Sequence, residues 1–213
     1  FNEIARKYSE DESAKDRPGK ENGSMLKGNG GDLGYFTVLN LYYEFETAAY
    51  NLKVGEVSPI IRTPVGYHII KVSDRKPAIG KLQAAHILIK AIPGKEDSVK
   101  ARVDEVYKLV SNGSAFDEMA KQYSDDKGSA AKGGVLPWFG CFRMAPSFIE
   151  PFYTMKPGDL TGPIQTDYGW HIIKLIDRKP IGTFDENKSA LKNQISRDKR
   201  SFIARDKLVS RLK

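Results

Sequence analysis

The hexapeptide Gly66-Tyr67-His68-Ile69-Ile70-Lys71 returns, little changed, as Gly169-Trp170-His171-Ile172-Ile173-Lys174. Each copy is followed by the same tetrapeptide, Asp74-Arg75-Lys76-Pro77 and Asp177-Arg178-Lys179-Pro180. Working outward from there, residues 30–77 align without a gap on residues 133–180 at an offset of 103, and nineteen of the forty-eight pairs are identical. Unrelated sequences of ordinary composition agree at roughly one position in fifteen, so the chain carries an internal duplication, and a repeat constrains architecture before any motif is weighed. Further upstream, Phe1-Asn2-Glu3-Ile4-Ala5 and Tyr8-Ser9-Glu10-Asp11 match Phe116-Asp117-Glu118-Met119-Ala120 and Tyr123-Ser124-Asp125-Asp126, now at an offset of 115. The extra residues of the first copy fall within 12–29, a stretch rich in Gly, Lys and Asn that reads as a surface loop. The second copy also contains residues 82–115, which have no counterpart in the first, so the first copy reads as truncated at its start. Phe1–Tyr8 has the pattern of a helix interior and not of a leader peptide, and the natural chain is expected to begin earlier.

Length and composition agree with two compact cores. The chain has 213 residues, above the 100–150 of one typical domain, with 40% hydrophobic and 10% aromatic residues. Mean hydropathy is −0.47, and no apolar run approaches the length of a membrane span. Thirty-four Lys and Arg against 27 Asp and Glu give a net charge of +7. The basic residues alternate with acids, as in Lys95-Glu96-Asp97 and Arg102-Val103-Asp104-Glu105, so nucleic-acid binding is not expected. A single cysteine, Cys141, excludes an internal disulfide framework and a cysteine-based metal site.

In the second copy the spacing predicts a β-α-α-β-α-β-β order. Leu82–Lys90 reads as a buried strand stopped at Pro93-Gly94. Ser98 is placed to cap a helix whose apolar face is Val99, Val103, Val106, Tyr107 and Val110, ending at Asn112-Gly113. Ser114 is placed to cap a second, with Phe116, Met119, Ala120 and Tyr123 on its apolar face. A short strand at Val135–Phe139, a short helix at Ser147–Tyr153, and strands at Gly162–Thr166 and Trp170–Asp177 complete the unit. This irregular order favours an α+β domain, a small antiparallel sheet with packed helices. Outside both copies, Thr183 and Glu186 form a capping box, and Leu191, Ile195, Phe202, Val209 and Leu212 mark one face of a basic helix expected over Phe184–Arg211. The boundaries expected are thus 1–78 for a partial first domain, 79–182 for a complete second one and 183–213 for a C-terminal amphipathic helix.

The three histidines, His68, His86 and His171, all fall in strand motifs. A histidine among aliphatic residues reads either as a core residue satisfied by hydrogen bonds or as part of a site. Phe148 and Leu136 are equally readable as ordinary core residues, and Asp126 as a solvated loop acid.

The motifs His86-Ile87-Leu88-Ile89-Lys90, Tyr123-Ser124-Asp125-Asp126, Gly133-Gly134-Val135-Leu136-Pro137-Trp138-Phe139 and Gly169-Trp170-His171-Ile172-Ile173 together resemble the parvulin-type peptidyl-prolyl cis/trans isomerases, or rotamases. The resemblance covers 82–180 and, less completely, 1–77. It implies two tandem parvulin-like domains whose reaction needs neither cofactor nor metal. It further implies a hydrogen-bonded pair, His86 and His171, with Thr166 bonded to the pair and Asp126 beside the rotating amide. Leu136, Met144 and Phe148 would surround the proline ring, with Trp138 also on the substrate side. Asp11, Leu33, Leu41, Phe45 and His68 are the corresponding residues of the first copy, which has no counterpart of His86. The second copy departs from the family's Gly-Gly-Asp-Leu-Gly loop at Val135 and Pro137, whereas Gly30-Gly31-Asp32-Leu33-Gly34 keeps it. The layout resembles two-parvulin chaperone/foldases of the periplasm. That resemblance implies a cell-envelope location, nascent or unfolded proline-containing proteins as partners, and self-association through the truncated first unit or the C-terminal helix. A non-catalytic chaperone module that binds extended segments in the same grooves is the competing expectation.

Overall fold

The computed structural model describes residues 1–18, 25–26, 28–92, 94–142, 144–203 and 210. In chain order its elements are α1 (Asn2–Tyr8), the short strands β1 (Arg17–Pro18) and β2 (Met25–Leu26), α2 (Tyr43–Asn51), β3 (Ile61–Thr63), β4 (Gly66–His68), β5 (Lys81–Lys90), α3 (Glu96–Ser111), α4 (Phe116–Tyr123), α5 (Lys127–Ala130), α6 (Pro146–Ile149), β6 (Ile164–Thr166), β7 (Gly169–Lys179) and α7 (Phe184–Ile195). The architecture is α+β, with small antiparallel sheets and packed helices. Contacts divide the chain into two compact units, one formed by 1–35 with 79–180 and the other by 36–78 with 181–213. The boundary between Tyr35 and Phe36 therefore cuts through the stretch 1–78 that the duplication groups together.

In the larger unit the sheet has the order β5-β7-β6. Strands β5 and β7 pair antiparallel over nearly their whole length, with a bulge between Gln83 and Ala84. On its other side β5 receives the extended segment 134–139: the amide of His86 donates to Gly134 O, that of Leu136 to Ala84 O, and Leu82 and Phe139 exchange both backbone bonds. Strand β5 is thus covered along both edges, which is why it tolerates a nearly continuous apolar sequence.

Side chains alternate across a strand, and the alternation builds two cores. Ala85, Ile87, Ile89 and Ile172 face the helices, packing on Val99, Val103, Val106 and Val110 of α3 and on Phe116 and Ala120 of α4. Leu82, Ala84, Ile173 and Leu175 face the opposite way, onto Cys141, Phe148, Ile149, Phe152 and Met155. By the same parity His86 and His171 belong to this second face. Since burying one aliphatic side chain contributes about 1.5–3 kcal/mol, the apolar residues fix the parity and the histidines follow.

Several boundaries differ from the sequence reading. Helix α3 starts at Glu96, so Ser98 lies inside its first turn, where Glu96 and Asp97 meet the helix dipole. Helix α4 starts at Phe116 after Ala115, leaving Ser114 one residue short of the cap. The expected continuous helix Phe184–Arg211 is not formed: α7 has the capping box at Thr183 and Glu186 but ends at Ile195. Asp198 then takes an extended conformation and its carboxylate caps a separate 3-10 turn over Lys199–Phe202. A local side-chain cap competes with helix continuation at such a residue. Val209 and Leu212 lie outside the described residues. The smaller unit has a two-stranded sheet, β3 with β4, and α7 has no buried residue.

Gly134 lets the 134–139 segment close on β5. Its φ is +79°, and a Cβ there would stand 2.4 Å from the carbonyl oxygen of His86. Gly158 has φ +98° with open space around it. Gly158→Ala is therefore expected to cost about 1 kcal/mol, the left-handed penalty alone, whereas Gly134→Ala is expected to cost roughly twice that or more because backbone must also move. Urea unfolding of the two variants at neutral pH, followed by tryptophan fluorescence, tests this; equal midpoints would refute the closure argument.

Candidate functional site

The register sets His86 opposite Ile173 and Leu88 opposite His171, so the two histidines are diagonal neighbours on one face, within reach of each other. Their Nδ1 atoms are 3.2 Å apart, and both residues are buried. The chain of contacts continues at both ends. His86 Nε2 lies 2.8 Å from Asp126 Oδ2 and 3.2 Å from Ser129 Oγ. His171 Nε2 lies 2.8 Å from Thr166 Oγ1.

Asp126 is held by the short helix it caps. Its carboxylate accepts from the Gly128 amide at 3.2 Å and from the Ser129 hydroxyl at 2.5 Å. The Ser129 hydroxyl is the largest influence keeping its carboxyl below the usual aspartate range, and His86 adds to it against the opposing effect of burial. An ionised carboxylate only accepts, so the ring nitrogen facing it carries a proton and His86 Nε2–H donates to Asp126. The two Nδ1 atoms share one hydrogen bond between the rings. The Thr166 hydroxyl stands between His171 Nε2 and the Gly169 carbonyl, to which it donates at 3.4 Å, and it accepts from the amide of Tyr168 at 3.2 Å. Burial first, and then the neighbouring His86, push the His171 pKa down to about 4 against a small opposing effect of Asp126.

Phe148 closes the pair from the apolar side. Its ring meets those of His171 and His86 edge-on, with centroids at 5.4 and 6.1 Å. Leu136 and Met144 are partly buried against the same cluster. Trp138 is engaged elsewhere, under the Lys179 ammonium at 4.3 Å. An open groove of ≈ 530 Å³ lies at the Asp126 and Ser129 end of this run, bordered also by Gln83, Lys132, Val135, Leu136 and Pro137 among others. Sequence reasoning missed Ser129; the only signal was its position three residues after the capping Asp126.

The candidates of the first copy are divided between the two compact units. Asp11 and Leu33 belong to the larger one. Asp11 caps a 3-10 turn and accepts from the amide and hydroxyl of Ser13 at 2.9 and 2.8 Å, while Leu33 is exposed. Leu41, Phe45 and His68 belong to the smaller unit, and there the duplication reappears as geometry. His68 Nε2 is 2.7 Å from Thr63 Oγ1, as His171 is from Thr166. The Phe45 ring meets His68 edge-on at 5.4 Å, as Phe148 meets His171. Ser58 Oγ accepts from the Ile70 amide at 2.9 Å, as Thr161 Oγ1 accepts from Ile173 at 3.0 Å.

Compared with protein families, the chain matches the PPIC-type PPIASE (rotamase) domain over residues 1–74 and again over 86–177. It belongs to this family. Among individual proteins it is similar to "Chaperone SurA" of Nitrosococcus oceani, with 34% identity over 80% of this chain and 42% of that protein. "Chaperone SurA" of Methylococcus capsulatus is 32% identical over 99% of this chain and 42% of its own length. The chain thus spans less than half the length of these relatives. Among solved structures, the peptidylprolyl isomerase PrsA of Bacillus anthracis shares 35% identity over 54% of this chain and 49% of its own, with a TM-score of 0.44.

The chain of bonds at the histidines has a pH signature. Folded, His171 takes up a proton only near pH 4; unfolded, near 6.5. Between those values the unfolded state holds more protons, so stability is complete above about pH 6.5 and falls as pH drops toward 4, by up to about 3 kcal/mol. The depressed Asp126 acts in the same direction at lower pH. His171→Gln is expected to flatten the slope between pH 6.5 and 4.5 in urea-unfolding series; a slope unchanged in the variant would contradict the assignment.

Proposed function

We propose that the chain catalyses cis/trans isomerisation of X-Pro bonds in unfolded or partly folded proteins, and that its second copy, 79–182, does the chemistry. The observation that carries this reading is the run Ser129–Asp126–His86–His171–Thr166 beneath Phe148. It joins a buried polar chain to the apolar ring of Phe148, and its Asp126 and Ser129 end borders an open groove.

Rotating an amide costs about 18–20 kcal/mol, and each 1.36 kcal/mol removed is about tenfold in rate. The twisted amide has lost its resonance, and with it much of the charge separation of either planar form, so an apolar pocket that favours it lowers the barrier without a nucleophile. In this reading Leu136, Met144 and Phe148 hold the proline ring, and Asp126 stands beside the rotating bond. The histidine pair, held at its two ends by Asp126 and Thr166, supports the pocket floor. Thr166 locks the far imidazole.

The first copy, read as a tandem domain that lacks the counterpart of 82–115 in this chain, keeps Thr63, His68 and Phe45 but has no equivalent of His86. That favours binding without catalysis there, through Leu41, Phe45 and His68, with Asp11 and Leu33 as the remaining matched positions. A foldase and chaperone of the cell envelope is the role that fits both, with clients recognised as extended proline-containing segments. The interleaved charges give no platform for nucleic acid, and among the described residues no helix is long and apolar enough to cross a membrane.

In a protease-coupled assay with a proline tetrapeptide, Met144→Ala and Phe148→Ala are expected to lower kcat/KM by about tenfold or more, beyond any loss of stability measured in parallel. Unchanged rates in the folded double variant would refute the pocket. The loop 91–97 sets Lys95 against Glu96 and Asp97 and offers no cationic cluster for phosphate, so a Ser-Pro peptide and its phosphorylated form are expected to react within about tenfold of each other.

Strand β4 is paired by β3, and Tyr67 within it and Ile69 just after it are exposed. An open strand edge invites pairing. The proposed self-association through this edge or through α7 predicts a concentration-dependent dimer in sedimentation velocity, weakened by Tyr67→Lys or by Ile195→Lys according to the surface used; a strict monomer at concentrations up to about 1 mM would refute it.

A further inference from the structure

The smaller unit contains one polar arrangement that the second copy lacks. Glu46 is only 2% exposed and is the only Asp, Glu, Lys or Arg in the buried class among the described residues. Its carboxylate is fully occupied. Oε1 accepts from the amides of Asn40 and Leu41, both at 2.8 Å. Oε2 accepts from the Leu39 amide at 3.1 Å and from Arg200 Nη1 at 2.8 Å. Three successive backbone amides converging on one anion form a concave cradle, and here the chain fills its own cradle.

The cradle is not the conformation the backbone would choose. Leu39 has φ +67°, the only left-handed residue other than glycine among the described residues, at a cost of about 1–2 kcal/mol. Burying a carboxylate is also unfavourable unless every lone pair and the charge are compensated. The duplication shows what a sequence without this device uses: the residue matching Glu46 is Ile149, and those matching Leu39 and Leu41 are Phe142 and Met144. Arg200 is in turn fixed by Asp198, with Nε to Oδ1 at 2.6 Å and Nη2 to Oδ2 at 2.8 Å, and its guanidinium lies 5.4 Å from the Tyr43 ring centre. Lys199 pairs with Glu44 alongside.

We propose that Glu46 is a positioning residue for the first copy's groove, and that the 3-10 turn carrying Arg200 is the latch that keeps it in place. The loop it holds, 39–41, carries Leu41, and the helix it starts carries Phe45; the proposal therefore rests on the reading of these two as peptide contacts. Without Arg200 the carboxylate is left buried with an unmatched charge, and the loop relaxes toward right-handed φ at Leu39. Peptide binding at the first copy thus depends on a segment 154 residues away in sequence.

The 213-residue chain and its Glu46→Gln and Arg200→Met variants test this with two readouts. Hydrogen exchange at the amides of Leu39, Asn40 and Leu41 is expected to accelerate by about tenfold or more in both variants, the scale of losing a charge-assisted hydrogen bond. Titration with succinyl-Ala-Leu-Pro-Phe-para-nitroanilide, followed at the Leu41 and Phe45 amides, is expected to show weaker binding in both, while isomerisation by the second copy keeps its rate. Arg200→Met carries the test if Glu46→Gln fails to fold. Unchanged exchange in Arg200→Met overturns the latch, and faster exchange with unchanged affinity overturns the positioning role. Absence of any peptide-induced shift at Leu41 and Phe45 in the unaltered chain overturns the binding reading of the first copy and this proposal with it.

Discussion

The antiparallel register of β5 on β7, which sets Leu88 opposite His171 and His86 opposite Ile173, is the constraint on which the site depends. A slip of β5 by one residue would turn His86 into the α3/α4 core, away from His171, and carry Ile87 and Ile89 out of it. The register is secured on both faces at once. Ile87, Ile89 and Ile172 have no alternative to the helical side, and Ala84, Ile173 and Leu175 have none to the other. The polar pair is thereby carried into an apolar layer where each unpaired nitrogen would cost about 1–3 kcal/mol.

That cost explains the length of the hydrogen-bonded run. Two buried imidazoles present four ring nitrogens, and the described contacts supply a partner for each: Asp126 and Thr166 at the ends, the histidines for one another in the middle. One proton between the two Nδ1 atoms satisfies both, and the ionised Asp126 fixes another on His86 Nε2. Low dielectric then strengthens the whole run, so the network is rigid for the same reason that it is buried.

The two copies show how one local geometry survives with different support. The threonine–histidine bond and the edge-on phenylalanine are kept in both, because they depend on a tight turn and a short helix that the repeated residues encode. Beyond that the copies diverge. The second stabilises its histidine through His86 and Asp126. The first places a carboxylate, Glu46, under the loop that precedes its helix and draws compensation from Arg200.

Much of this was legible in the residues alone. The duplication, the α+β class, the strand at 82–90 and the terminal β-hairpin of the second copy follow from identity at a fixed offset and from period-two apolar patterning, which are local properties. The motif residues His86, Asp126, Thr166 and His171 were picked out by the resemblance of their motifs to the family; read alone, a histidine in an aliphatic strand fits a core position equally well. What the sequence could not supply were the partners. Ser129 on Asp126, Lys179 over Trp138, and Arg200 on Glu46 join residues whose pairing depends on where loops and helix ends come to rest. The break after Ile195 belongs to the same class: propensity and apolar spacing allow the helix to run on, and the side-chain cap at Asp198 starts a separate turn from which Arg200 meets Glu46. Patterning determines which face of an element is buried; the three-dimensional arrangement alone decides which polar groups must then satisfy one another.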